Sequence, residues 1–263
     1  ILPLKSALKK IAIVGDFAKN PRYQGAGSSQ VRPTQIVNAL NELQKMTKET
    51  QFSFSTGYNT AGETDDAKIA EAVQNAQNSE LVIVFAGLPD SYESEGFDRN
   101  NMDLPAGHNK LISEVAKVNK NIVVVLMNGA AVSMPWKNDV AAIVEAYLGG
   151  QAGGGAIADV LTGKINPSGK LSETFPARLE DTPTAMDFPS KDGNANYGEG
   201  IFIGYRYYDK KKIEPNFPFG YGLSYTSFSY SDIKANTTTA KDSDIITISV
   251  KVKNTGKIAG KEV

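Results

Sequence analysis

The residues best equipped for chemistry sit in one stretch, 88–105, which reads LPDSYESEGFDRNNMDLP and carries Glu93, Glu95, Asp98, Arg99 and Asp103. A carboxylic acid can hand a proton to a leaving oxygen. The carboxylate left behind can take one from water or attack an electrophilic carbon, which is the work carboxyl groups do in general acid/base and nucleophilic catalysis. The same composition also suits a solvated acidic loop, the plainer of the two readings. On the residues alone the solvated loop is favoured, and placement keeps chemistry open. The stretch follows an apolar run ending at Ala86 and precedes a helical pattern. In open parallel sheets ligands bind in the loops beyond the carboxyl ends of the strands, and a long loop on a rigid sheet is a usual carrier of function.

Other chemistries are excluded or weakened by composition. There are no cysteines and one histidine, His108. Disulfides, thiolate nucleophiles and multi-histidine metal sites are therefore out, and a histidine-based triad is disfavoured. No metal and no cofactor is expected. His108 is expected to cap or pack a helix start. The formal net charge is −1, which gives no global field to attract nucleic acid or an anionic membrane, so neither is expected as a partner. No apolar run reaches transmembrane length. Residues 25–29 (GAGSS) invite a dinucleotide reading, but Gln30 stands where a GxGxxG pattern needs its next positions and the loop begins about ten residues after Gly15. The run GGQAGGGA at 149–156 lacks the GK[ST] ending of a phosphate loop, and close packing of a helix is the better account. Trp136 is expected in the core. Tyr92, inside the acidic stretch, is the better candidate to stack on a ring. Asn236–Thr238 forms a glycosylation sequon.

The elements that must position these residues follow from periodicity. Apolar runs at 10–15, 80–86, 121–127 and 141–147, with a short alternating run at 51–55, read as strands. Residues 33–45, 65–78, 107–119 and 152–161 read as helices, the second capped by Asp65 or Thr64. Strands alternating with helices predict a layered α/β sandwich with a mostly parallel sheet of about six strands. After Gly163 the texture changes. Residues 166–176 and 215–226, rich in Pro, Gly and aromatics, read as irregular connectors packed on a core. From Phe228 onward the pattern is all β, with strands at 229–234 and 245–254 and a turn at NTG. That piece is too short to bury both faces of a β-sandwich. The chain opens on Ile1 and reads as cut from something longer.

Seven segments together resemble one family. ESEGFDRNNMDLP is similar to the acid/base loop of family 3 glycoside hydrolases. KKIAIVGDFA, QGAGSSQV, VVVLMNGAAVSMPW, IVEAYLGGQAGGGAIADVLTGKINPSGKLSETFP, YGEGIFIGYRYYD and FPFGYGLSYTSFSY resemble the rest of its C-terminal half in order.

The resemblance implies an N-terminal (β/α)8-like barrel outside this chain, with residues 1–10 as the linker leaving it. Residues 11–227 would form the α/β sandwich domain and 228–263 the start of a fibronectin-III-like domain. It implies a retaining exo-β-glycosidase, a β-glucosidase in the first instance, that hydrolyses terminal nonreducing β-linked sugars. The barrel supplies the nucleophile and most sugar contacts. Glu95, immediately before Gly96, matches the acid/base, with Glu93 as its local rival. Ser28 or Ser29 would lie near the nonreducing sugar, although a simple glycine turn packing on the barrel fits those residues equally well. Gly96 would let the backbone bend, and Asp98 and Arg99 would fix the loop. The partners expected are a β-linked oligosaccharide or glycoside and the barrel. A non-catalytic α/β binding or scaffold module and a nucleotide-binding domain are the rival functions. The first has no need of a glutamate at a strand's carboxyl edge, and the broken glycine pattern argues against the second.

Overall fold

The computed structural model describes residues 1–46, 49–190 and 193–263. Five strands form one wholly parallel sheet: β1 (Lys10–Val14), β2 (Gln51–Ser55), β3 (Leu81–Gly87), β4 (Ile122–Met127) and β5 (Ala142–Glu145), in the order β2-β1-β3-β4-β5. Every residue of β3 and β4 is buried. This is why both read as unbroken apolar runs, since a parallel sheet covered on both faces has no polar face to alternate with. The register runs without a break from Ile11↔Leu81 through Val84↔Val124 to Val124↔Ile143. The expected mostly parallel α/β sheet is present, with five strands where about six were anticipated.

Helices α1 (Ala39–Met46), α2 (Asp66–Gln77), α3 (Ala106–Val118) and α4 (Gly153–Thr162) cover the sheet, α1 packing with α4 and α2 with α3. The Asp65 side chain accepts from Lys68 N at 2.8 Å and so caps α2. Thr64 instead donates its hydroxyl to the Gly57 carbonyl at 2.6 Å. The first helix is shorter than its pattern: it begins at Ala39, not at residue 33. Asn38 Oδ1 accepts from Asn41 N at 2.9 Å and caps it there, while Val37 N donates to the Gln151 carbonyl at 2.8 Å and holds the preceding segment extended. Gly154 explains the glycine run at 149–156. A Cβ there would run into the backbone of Val37, Asn38 and Ala39, so the close packing serves this extended segment.

Residues 166–176 and 215–226 pair with each other. Leu171 N donates to the Tyr221 carbonyl at 2.8 Å, and Phe175 exchanges hydrogen bonds with Phe217. Between them lies α5 (Tyr205–Lys211), which the sequence reading did not anticipate. Two antiparallel strands follow, β6 (Phe228–Ala235) and β7 (Ile248–Asn254), exposed almost throughout. Trp136 is buried, its indole N–H on Asn109 Oδ1 at 2.9 Å. His108 is fully buried at the start of α3, against Tyr58 and Phe17, with Nδ1 accepting from Gly87 N at 3.3 Å. Burial pushes its pKa down to about 3, so it packs as the neutral ring.

Candidate active site

The strand order reverses direction between β1 and β3: the chain leaves β1 toward β2 and leaves β3 toward β4. Such a switch point opens a crevice at the carboxyl ends of the two strands. The loops that follow β1 and β3 meet across it. The first carries a single turn of 3-10 helix at Gly27–Ser29; the second is the acidic stretch. Glu95 reaches over from the second loop, and its Oε2 accepts from Ser28 N at 2.8 Å. Gly27 permits the approach. Its φ is +76°, and a Cβ there would lie 2.8 Å from Glu95 Cβ. Gly96, expected to bend the chain, has φ +94°, a conformation that L side chains rarely adopt.

The two rival glutamates occupy different environments. Glu95 is exposed, and the Ser28 hydroxyl and backbone N–H hold its carboxyl below the usual carboxylate range. Glu93 is part-buried and turned the other way. Its Oε2 accepts from Gly129 N, just beyond β4, at 2.8 Å, and its charge faces Arg99. Arg99 donates to the Ala131 carbonyl at 3.3 Å, consistent with the loop-fixing part expected of it. Of the other candidates, Ser29 spends its hydroxyl on the Ala26 carbonyl at 3.2 Å, inside its own turn. Tyr92 lies on the same loop as Glu95 with its ring partly open to solvent.

Sequence reasoning missed a second carboxylate, Glu145, at the end of β5. It accepts from Tyr147 N at 2.9 Å and Asn128 Nδ2 at 3.2 Å. Burial, helped by the nearby charges of Glu173 and Glu93, raises its pKa to about 8. The signal was present: a lone acid closing the apolar run AAIVEAY. The raised value has a consequence for stability. The folded chain keeps a proton that the unfolded chain releases above its ordinary carboxyl pKa. This contribution is complete below about pH 4.5 and is lost as the pH climbs to about 8, at a slope of up to about 1.4 kcal/mol per pH unit. Unfolding midpoints in urea should fall between pH 5 and pH 8, and Glu145→Gln should flatten that fall. An unchanged slope in the variant would show that Glu145 does not carry the proton.

A doubly wound α/β domain that presents an exposed carboxylate at its switch point thus defines the class. The comparisons give the family. The model of the glycosyl hydrolase family 3 C-terminal domain matches residues 1–225, and the chain belongs to that family. It is 53% identical over its whole length to thermostable beta-glucosidase B of Acetivibrio thermocellus, and 41% identical over 97% of its length to an exo-alpha-(1->6)-L-arabinopyranosidase of Bifidobacterium longum. It spans about a third of the length of each, 35% and 33% respectively. Among solved structures, the GH3 beta-glucosidase of Bifidobacterium adolescentis superposes with a TM-score of 0.88 at 43% identity, over 97% of this chain and 37% of that one. The Kluyveromyces marxianus beta-glucosidase in complex with glucose superposes with 0.85 at 26% identity, over 97% and 48%.

Proposed function

We propose that this chain supplies the general acid/base, Glu95, of a retaining exo-β-glycosidase acting on terminal β-glucosides. The nucleophile and most sugar contacts would come from a (β/α)8-like barrel in the same, longer polypeptide, and residues 228–263 would begin its fibronectin-III-like domain. The observation that carries the reading is the placement of Glu95: an exposed carboxyl at the carboxyl edge of the sheet, held across the switch point by Ser28. Ser28 and Tyr92 flank it as substrate contacts, Ser29 standing one step behind through its bond to Ala26. Apolar side chains left exposed in the segments 197–203 and 219–223 support the barrel as partner. Tyr197, Ile201, Ile203, Phe219 and Leu223 are all more than half exposed. Glucoside is favoured by the names of the relatives with 53% and 43% identity.

Retention requires two carboxyl groups about 5–5.5 Å apart and two displacements at the anomeric carbon. Proton NMR of the first sugar released by the barrel-containing polypeptide should show the β anomer, appearing before mutarotation, with one monosaccharide released from the nonreducing end for each leaving group or shortened chain. An α anomer formed first would rule the mechanism out. Comparing p-nitrophenyl β-glucoside with p-nitrophenyl α-L-arabinopyranoside tests the sugar, with the glucoside expected to turn over faster.

A further inference from the structure

We propose that Arg22 is a positioning residue for the Glu95 carboxyl, a role that rests on Glu95 being the acid/base. Arg22 follows β1 and is only 6% exposed. Its guanidinium grips the acidic loop at two points: Nη1 pairs with the Asp90 carboxylate, and Nη2 donates to the Glu93 carbonyl at 3.0 Å. Gln30 adds a bond to the other Asp90 oxygen at 3.2 Å. On its far side Glu93 is pinned by Gly129 N. The backbone is thus fixed at 90 and 93, and Glu95 lies two residues further on. The surface that receives Glu95, Gly27 and Ser28, belongs to the same post-β1 loop as Arg22. One buried side chain therefore ties together the two loops whose meeting places the carboxyl.

The choice of residue supports positioning over filling. Taking a guanidinium out of water is costly unless its geometry is well met, and here Nε is buried without a hydrogen-bond partner among the described residues. An apolar side chain would fill the space without that cost but could not grip a carboxylate and a carbonyl at once. A planar fork with two separate donors does, and a lysine ammonium reproduces it poorly. What the fork adds is a fixed distance between the loops. Proton transfer is sensitive to that distance, since a misplacement of about 1 Å can cost roughly 100-fold.

The experiment uses the barrel-containing polypeptide with Arg22→Met and Arg22→Lys, beside Glu95→Ala. kcat/KM is measured for a methyl β-glucoside and for a dinitrophenyl β-glucoside, with the thermal midpoint followed in parallel. A misplaced acid harms only the substrate that needs its proton. Arg22→Met should lose roughly 10- to 100-fold on the methyl glycoside while staying within about threefold on the dinitrophenyl glycoside, and Arg22→Lys should fall between it and the wild type. If Arg22→Met does not fold, Arg22→Lys alone should still show a clear selective loss. Equal losses on both substrates, or none, with Glu95→Ala showing the contrast, would reduce Arg22 to a structural residue and leave the acid/base reading intact. Equal losses in Glu95→Ala itself would overturn that reading, and the role of Arg22 with it.

Discussion

Replacing Glu95 by alanine in the barrel-containing polypeptide should slow alkyl β-glucosides and disaccharides by roughly 100- to 10,000-fold, while kcat/KM for a dinitrophenyl β-glucoside stays within about tenfold. The difference comes from the leaving oxygen. An alkoxide is too basic to depart without a proton, whereas a dinitrophenolate leaves unaided. The second half of the cycle should fail for both, because water then lacks its base. With the dinitrophenyl substrate kcat and KM should therefore fall together as the glycosyl-enzyme accumulates, a state visible by mass spectrometry of the intact protein. Azide, which needs no base, should restore turnover and release a glycosyl azide. Glu93→Ala is the necessary contrast. Glu93 is bound to Gly129 N and faces Arg99, so its loss removes one restraint on the loop and should cost the alkyl glycosides a small factor more than the dinitrophenyl glycoside, with no accumulated glycosyl-enzyme and no azide rescue. The full pattern in Glu93→Ala, with a modest uniform loss in Glu95→Ala, would move the acid/base by two residues.

How much of this was legible in the sequence depends on the range of the interactions involved. The sheet was legible because burial on both faces leaves a local trace: IVVVLM in β4 has no other good home. The Asp65 cap was legible for the same reason, since its partner Lys68 lies three residues away. The start of α1 was not. Residues 33–38 have a helical pattern, but the bond from Val37 to Gln151 spans more than a hundred positions and overrides it. The acidic loop was visible as composition, and the family resemblance singled out Glu95. What separates the two glutamates in space, Ser28 for one and Gly129 for the other, comes from two other loops brought together by the strand order. Arg22 was hidden in the same way, 68 residues from Asp90, in a segment read only for its glycines and serines. Glu145 was readable in principle, because an acid closing an apolar strand is often neutral, paired or functional, and it was passed over as the end of a strand.

The chain on its own, residues 1–263, should show no glycosidase activity even on a dinitrophenyl β-glucoside. That substrate removes the need for an acid, so what remains to be supplied is the nucleophile, and the proposed nucleophile is a barrel residue. The electrostatics point the same way. With Ser28 donating to it, the Glu95 carboxyl is held below its ordinary range and is ionised at neutral pH; a general acid must start protonated. A second carboxylate brought close by the barrel would raise that pKa, because two like charges resist ionising together. The same event would close the crevice and exclude water. Assembly of the two halves would thus create the nucleophile–acid pair and set its protonation state at once. Purified chain should release dinitrophenolate no faster than its Glu95→Ala variant and no faster than buffer. Adding the separately expressed barrel should restore turnover to the wild-type mixture on a methyl β-glucoside, and not to the Glu95→Ala mixture. Release by the chain alone, above the Glu95→Ala control, would mean that a nucleophile lies within these 263 residues, and the division of labour proposed between the two halves would fall.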